Sequence, residues 1–384
     1  MAGFGFSEAQ EMFRREVRRF VDTELMPISK ELNKTETGVR WDIIRRMGEL
    51  GYLGITVPEK YGGQASDWVT WGIAAEELGK ASHFAALVSL VGGLAQFWLG
   101  STAEEFKQEW IPALVKGEKI GTWALTEPDT GSDAAAIKTS AVRDGDDYII
   151  NGEKMPITLG MGADAAMTMT KTDPTAGAKG VTNFWLPLDL PGITRSPLKH
   201  TGWKPHVAAA LTFENVRVPA RYRLGEEGQG FSVGLGVTDF ARVGLALMGL
   251  GTAQVSLEET MNYVQQRQAF GQPIGRFEGV SFKIAEHATL IEAARLLCYR
   301  TLYLSDQGMS HRKETAMCKW WGPRVAFDAV HDCILLHGHI GYSEEYPLEQ
   351  RLRDCLGLEF TDGTAEIMKT IIARDLMGNV ARPY

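Results

Sequence analysis

The sequence predicts an α+β chain in which helices, then strands, then helices follow one another in separate blocks. Three observations predict it: apolar residues at helical spacing through residues 1–118, a change to short β-branched runs from Gly121, and a return to long helical repeats after Gly228-Gln229-Gly230. Blocks segregated in this way do not fit a doubly wound nucleotide fold, whose strands and helices alternate, and no G-x-G-x-x-G follows a strand-like run. The expected domains are 1–118, 119–229 and 230–384.

In chain order, Ser7-Glu8-Ala9-Gln10 forms a capping box, and Phe13, Val17, Phe20, Val21 and Leu25 recur at helical spacing before Pro27, the expected stop. Residues 41–50 repeat the pattern through Ile44 and Met47 and end at Gly51; 69–78 and 85–99 continue it. Between them, residues 53–63 carry β-branched side chains and a Pro-to-Gly-Gly exit, which makes a loop. Asn151-Gly152, set between strand-like runs, predicts a type I′ hairpin. Short strands are expected at 165–170, 183–188, 208–213 and 216–218, separated by turns rich in Pro and Gly. Helices over 231–266, 279–306, 313–336 and 363–377 then suggest an antiparallel four-helix bundle.

With 384 residues, 44% of them hydrophobic and 9% aromatic, the chain can bury substantial cores. A net charge of −8 argues against nucleic-acid binding, which needs clustered Lys and Arg, so an anionic cofactor must meet local basic groups. Cys298, Cys318, Cys333 and Cys355 form no C-x-x-C pair and read as reduced core thiols. No basic-apolar leader opens the chain and no apolar run is expected to span a bilayer, which points to a cytoplasmic protein without membrane insertion.

Two stretches carry the chemistry. In Trp123-Ala124-Leu125-Thr126-Glu127-Pro128-Asp129-Thr130-Gly131-Ser132-Asp133, an apolar run breaks at Glu127-Pro128, hydroxyls flank the break, and Gly131 lets the backbone approach a ligand. It is answered by Phe360-Thr361-Asp362-Gly363-Thr364, which offers a carboxylate in a turn. Together with Met155-Pro156-Ile157-Thr158, Arg267-Gln268-Ala269-Phe270-Gly271-Gln272-Pro273-Ile274 and His337-Gly338-His339-Ile340-Gly341-Tyr342, they resemble the signatures of the acyl-CoA dehydrogenase family. Similar motifs cover nearly the whole chain.

The resemblance implies an N-terminal helical domain, a central β-barrel and a C-terminal four-helix bundle, commonly in homotetramers. It also implies FAD and an acyl-CoA substrate: removing a proton beside a thioester needs a carboxylate base, and no side chain accepts the β hydride, which passes to flavin N5. By the same resemblance Trp123, Leu125, Thr126, Gly131, Ser132, Ile157 and Thr158 line the flavin and pyrophosphate, and Arg267, Phe270, Gly338, Thr364 and Glu366 complete the cofactor contacts, with the Arg267 turn and the His337 loop reaching a neighbouring subunit's FAD. Ser132, Asp239, Arg242 and Gly363 are the implied substrate contacts, although Asp239 and Arg242, three apart, equally suit an exposed helical ion pair. His337 and His339 invite a metal reading, but no Cys or carboxylate set stands at ligand spacing, and no metal is expected.

The chain departs from the family at four places. Pro156 replaces the usual Trp beside the flavin, Leu335 a usual Gln near the adenosine, and Ala241 the catalytic Glu that some members carry there. Asp362 stands where the common residue is Glu, and is the expected base, its backbone N–H helping to hold the thioester carbonyl. Asp at this site resembles the dehydrogenases of alicyclic acyl-CoA esters, and also nitroalkane oxidases. The expected reaction is therefore α,β-dehydrogenation of a ring acyl-CoA such as cyclohexanecarboxyl-CoA, with electrons passing to an electron-transferring flavoprotein or similar acceptor. Its alternatives are 1,4-dehydrogenation of cyclohex-1-ene-carboxyl-CoA and nitroalkane oxidation; a non-catalytic DNA-associated member is disfavoured by the acidic charge.

Overall fold

The first helix, α1 (Glu8–Phe20), begins where the capping box places it: the Ser7 hydroxyl accepts from the Gln10 N–H (3.2 Å) and the Gln10 side chain accepts from the Ser7 N–H (3.0 Å). It does not stop before Pro27. A π-helical turn (Val21–Leu25) carries it into α2 (Met26–Leu32), and Val17, Phe20, Val21 and Leu25 are buried. The wider turn already departs from the i→i−4 ladder there, so the missing Pro27 N–H costs little. The computed structural model describes residues 5–32, 39–81, 83, 86 and 104–381; apart from Ala86, the helix expected over 85–99 lies outside the described residues.

Next come α3 (Trp41–Glu49) and α4 (Trp68–Gly79), then α5 (Glu104–Val115), which the sequence reading omitted. Asp67 caps α4 by accepting from the Thr70 N–H (2.6 Å). Asp306, far along the chain, accepts from the next two free donors, the N–H groups of Trp68 (2.8 Å) and Val69 (3.2 Å), so one carboxylate ties the first helical block to the last.

The middle block is a β domain. Its strands run in the order β6 (Ile193–Leu198), β7 (Ala208–Pro219), β3 (Asp147–Ile157), β2 (Ser140–Asp144), β4 (Ala165–Lys171), β5 (Val181–Pro187), β8 (Arg223–Leu224), and β1 (Gly121–Ala124) pairs parallel to β4. The expected hairpin at Asn151-Gly152 is absent: β2 and β3 join through Gly145-Asp146, and β3 runs on through the Asn-Gly pair. There the ladder to β7 shifts register, Gly152 takes φ +146°, and Asn151 Oδ1 accepts from the Asn215 N–H (2.8 Å). A Cβ on Gly152 would lie 2.6 Å from Thr139 Oγ1, so glycine here serves close packing rather than a turn.

The last block holds α6 (Gly230–Gln266), α7 (Glu278–Asp306) and α8 (Arg312–His337), followed by α9 (His339–Tyr342), α10 (Leu348–Leu358) and α11 (Ala365–Met377). Contrary to the expectation that no apolar run could span a bilayer, α6 is long and apolar enough by composition, yet 67% of its most apolar window is buried within the protein. Glycines on both α6 and α4 explain the close fit: a Cβ at Gly251 of α6 would lie 2.1 Å from the Glu76 carbonyl oxygen of α4, and one at Gly79 of α4 2.4 Å from that of Met248. Two backbones meet there, which outweighs the loss of about 1 kcal/mol of helix propensity per glycine. All four cysteines are buried thiols.

Candidate active site

The β part of the site is shaped by a buried cation. Lys154 of β3, fully buried, donates to the Leu125 carbonyl (2.8 Å) and to Glu127 Oε1 (2.8 Å). Glu127 also accepts from the N–H groups of Lys138 (2.6 Å) and Thr139 (2.9 Å), which closes the 125–139 segment on itself. Burial pushes the Glu127 carboxyl up, but Lys154 and the Thr139 bonds outweigh it and hold it below the usual range; burial brings Lys154 down to about 8. The Thr126 carbonyl accepts from the Met155 N–H (2.8 Å), so Leu125 and Thr126 lie beside the strand end that carries Ile157 and Thr158. Ile157 is buried, Trp123, Leu125, Thr126 and Thr158 are half-buried, and Gly131, Ser132 and Pro156 are exposed. The Met155-Pro156 bond is cis.

The second part is the turn between α10 and α11. Asp362 has φ +55° and Gly363 φ +114°, the left-handed region that Asp tolerates better than most residues. Two cations hold this turn. Arg242 Nε of α6 donates to the Asp362 carbonyl (3.0 Å) while its Nη1 meets Asp239 Oδ1 (3.2 Å), and Lys319 Nζ of α8 donates to the carbonyls of Gly363 (2.9 Å) and Glu359 (3.4 Å). Asp239 and Arg242 are thus no exposed pair, since Arg242 is buried and bonded to the turn. Burial raises the Asp362 carboxyl above its ordinary range, and Arg242 and Lys319 oppose that rise; burial likewise raises Asp239 and lowers Arg242. Beyond the turn, the Thr364 hydroxyl caps α11 by accepting from the Ile367 N–H (3.4 Å), and Glu366 is exposed in its first turn.

The segment 199–207 links the two parts. Trp203 donates its N–H to Asp354 Oδ1 (2.6 Å) and its Nε1–H to the Asp354 carbonyl (2.8 Å) on α10, while the His206 carbonyl accepts from the Leu159 N–H (3.0 Å) just past Thr158. Sequence reasoning missed Lys319, Lys154 and this segment. The available signal was a Lys within the apolar run Thr315-Ala316-Met317-Cys318-Lys319-Trp320-Trp321, since Lys is almost never fully buried unless paired.

A third group sits at the far end of α6. Arg267 follows the helix, its carbonyl accepts from the Ile274 N–H (2.8 Å), and Phe270 at the tip has φ +53° and is 95% exposed. Tyr263 stacks on His337 at 4.2 Å and donates its hydroxyl to the His337 carbonyl (3.4 Å), which sets Gly338 beside this turn. Leu335 is 56% exposed. From Arg242 to the end of α6 the helix rises about 36 Å at 1.5 Å per residue. One chain therefore does not bring Arg267, Phe270 and Gly338 to the Asp362 turn.

Three family profiles match in sequence order: the acyl-CoA dehydrogenase N-terminal domain over residues 7–118, the middle domain over 122–216 and the C-terminal domain over 228–377. The chain belongs to the acyl-CoA dehydrogenase family. It is 35% identical to an acyl-CoA dehydrogenase of Bacillus subtilis over 97% of this chain and 99% of that one. It superposes on butyryl-CoA dehydrogenase from Megasphaera elsdenii with a TM-score of 0.94 at 31% identity, covering 98% of this chain and 100% of the other. A glutaryl-CoA dehydrogenase from Mycobacterium smegmatis in complex with FADH2 gives a TM-score of 0.93 at 30% identity, covering 99% and 97%. The chain is accordingly an FAD-dependent acyl-CoA dehydrogenase, an oxidoreductase.

The residues present fit that cofactor. Trp123 Nε1 is buried without a hydrogen-bond partner among the described residues, an unused donor on the strand that leads into the 125–133 segment. A Cβ at Gly131, Gly271 or Gly338 would meet nothing within 4 Å, so the three backbones are open to a ligand.

Proposed function

We propose that this acyl-CoA dehydrogenase uses Asp362 as its base on a ring acyl-CoA such as cyclohexanecarboxyl-CoA, within a homotetramer. The observation that carries the reading is the Asp362 turn: a carboxylate in a left-handed conformation, held through its own carbonyl by Arg242 and through the next by Lys319. The Asp362 carboxylate takes the proton from the carbon beside the thioester, and its backbone N–H and that of Gly363 orient the thioester carbonyl. Burial that raises its pKa makes it a stronger base once ionised. FAD, when bound, supplies the acceptor for the electron pair and passes it to an electron-transferring flavoprotein or similar partner. Trp123, Leu125, Thr126, Gly131, Ser132, Ile157 and Thr158 are assigned to hold it, with Thr364 and Glu366 beside the base, and Ser132, Asp239 and Arg242 toward the CoA side.

The tetramer reading is supported by distance: Arg267 and Phe270, past the end of α6 and about 36 Å along it from Arg242 at the Asp362 turn, with Gly338 beside them, are assigned to the FAD of a neighbouring copy. The ring substrate rests on the shorter Asp, which leaves more room between base and substrate carbon than Glu does. Domain limits at 118/119 and 229/230 and a cytoplasmic location belong to the same reading. Anaerobic mixing with a panel of ring and straight-chain acyl-CoA esters tests it: the ring ester should bleach the flavin fastest. Fastest bleaching by a straight short chain overturns the ring assignment, and bleaching by nitroalkanes alone overturns the CoA substrate.

A further inference from the structure

We propose that Lys319 is a positioning residue for the reaction: its ammonium fixes the Asp362-Gly363 turn and supplies, with Arg242, the positive field that keeps the Asp362 carboxylate ionised. This rests on the reading of Asp362 as the base. Lys319 is 0% exposed and, among the described residues, its Nζ donates to backbone carbonyls alone, those of Gly363 at 2.9 Å and Glu359 at 3.4 Å. A fully buried ammonium bonded to neutral oxygens is expensive unless a countercharge stands near. Asp362 and Glu359 are the nearby anions; burial pushes the Asp362 carboxyl up, and Arg242 and then Lys319 pull it down.

The arrangement divides two tasks between two helices. Arg242 on α6, the stronger of the two cations at Asp362, is also bonded to Asp239 at 3.2 Å and so serves two anions. Among the described residues, Lys319 on α8 has no carboxylate bonded to its Nζ. Glu359, whose carbonyl it holds, points its side chain to Arg324 (3.5 Å). The charged groups around it are thus Asp362 and Glu359 on the turn, Asp239 and Arg242 on α6, and Arg324 on its own helix, while Lys369 of α11 lies over the Trp320 ring at 4.8 Å. Burial brings Lys319 down to about 8, so it stays charged through neutral pH.

Three variants test this on the flavin-loaded enzyme: Lys319→Met removes charge and donor, Lys319→Gln keeps a donor without charge, and Lys319→Arg keeps the charge. Two quantities are read. One is the rate of flavin reduction at saturating acyl-CoA against pH; the other is the Asp362 carboxyl itself, by difference infrared titration against Asp362→Asn. For Met and Gln the Asp362 midpoint should rise by about one pH unit or more, reduction on the acid limb below the parent midpoint should fall by about tenfold or more, and acyl-CoA affinity should stay within about threefold. Arg should return the midpoint toward the parent value. In the parent, the Asp362 carboxylate band should shift a second time as Lys319, whose pKa burial lowers, loses its proton on the alkaline side. An unmoved midpoint in Met and Gln overturns the proposal even if stability falls. Should Asp362→Asn itself reduce its flavin at the parent rate, the assignment of the base fails instead, and the two failures are told apart.

Discussion

Replacing Asp362 by Asn isolates the charge of the base. Asn has nearly the volume of Asp and accepts φ +55° at least as well, so the turn held by Arg242 and Lys319 keeps its geometry and stability changes little. What is lost is proton abstraction, worth about 10²–10⁴ in rate, or about 3–5 kcal/mol of barrier. Stopped-flow reduction of the flavin under anaerobic conditions reads the chemistry, and the spectral change of the bound flavin reads acyl-CoA binding. Reduction should fall by about 10²–10⁴-fold, with binding intact. Asp362→Glu behaves differently on both axes. Glu is less at home in the left-handed region, which costs about 1 kcal/mol of stability, and its extra methylene intrudes on the substrate, so ring esters should lose more than straight chains. If Asp362→Asn bleaches its flavin at the parent rate with the best acyl-CoA, the base lies elsewhere.

Further outcomes follow from the same contacts. Lys154→Met leaves the buried Glu127 without its cation and should lower unfolding stability by about 3–5 kcal/mol in a denaturant titration, together with FAD retention; an unchanged midpoint would show that the pair does not shape the segment. Because the folded Asp362 carboxyl titrates above its ordinary range and only the ionised form abstracts a proton, reduction should rise with pH on a limb above about pH 4, and a limb at or below that value counts against its burial. Arg267→Ala should purify with less FAD and full Asp362 chemistry per bound flavin, and solution scattering should report a tetramer; a monomer holding one FAD per chain contradicts the shared site. Gly363→Ala, with φ +114° and a Cβ 2.6 Å from Met368 Cε, should destabilise by about 1–3 kcal/mol, seen as a lower thermal midpoint.

Local signals carried the fold class a long way. The Ser7–Gln10 capping box, the start of α6 near Gly230 and the end of α8 near His337 are all written in neighbouring residues, because helix caps and periodicity are short-range effects. The same reasoning failed at Asn151-Gly152. A pair that makes a tight turn in isolation became a bulge inside β3, since β7 and Thr139 compete for that backbone and both come from elsewhere in the chain. Pro27 misled for a related reason, its missing N–H being absorbed by a π turn.

The site divides in the same way. Sequence alone determined which residue types were on offer: a carboxylate in a Gly-flanked turn, a hydroxyl-lined break at Glu127-Pro128, an Arg in a turn suited to phosphate. Only the tertiary structure decided what each of them meets. Arg242, as compatible in sequence with an exposed ion pair as with a CoA contact, is buried against the Asp362 carbonyl, and Lys319, one Lys in an apolar run, is the second clamp on that turn. The physical reason is that a charge gains its meaning from burial and from partners far along the chain, quantities that spacing along one helix does not contain: Lys319 bonds Gly363 44 positions on, and Arg242 bonds Asp362 120 positions on.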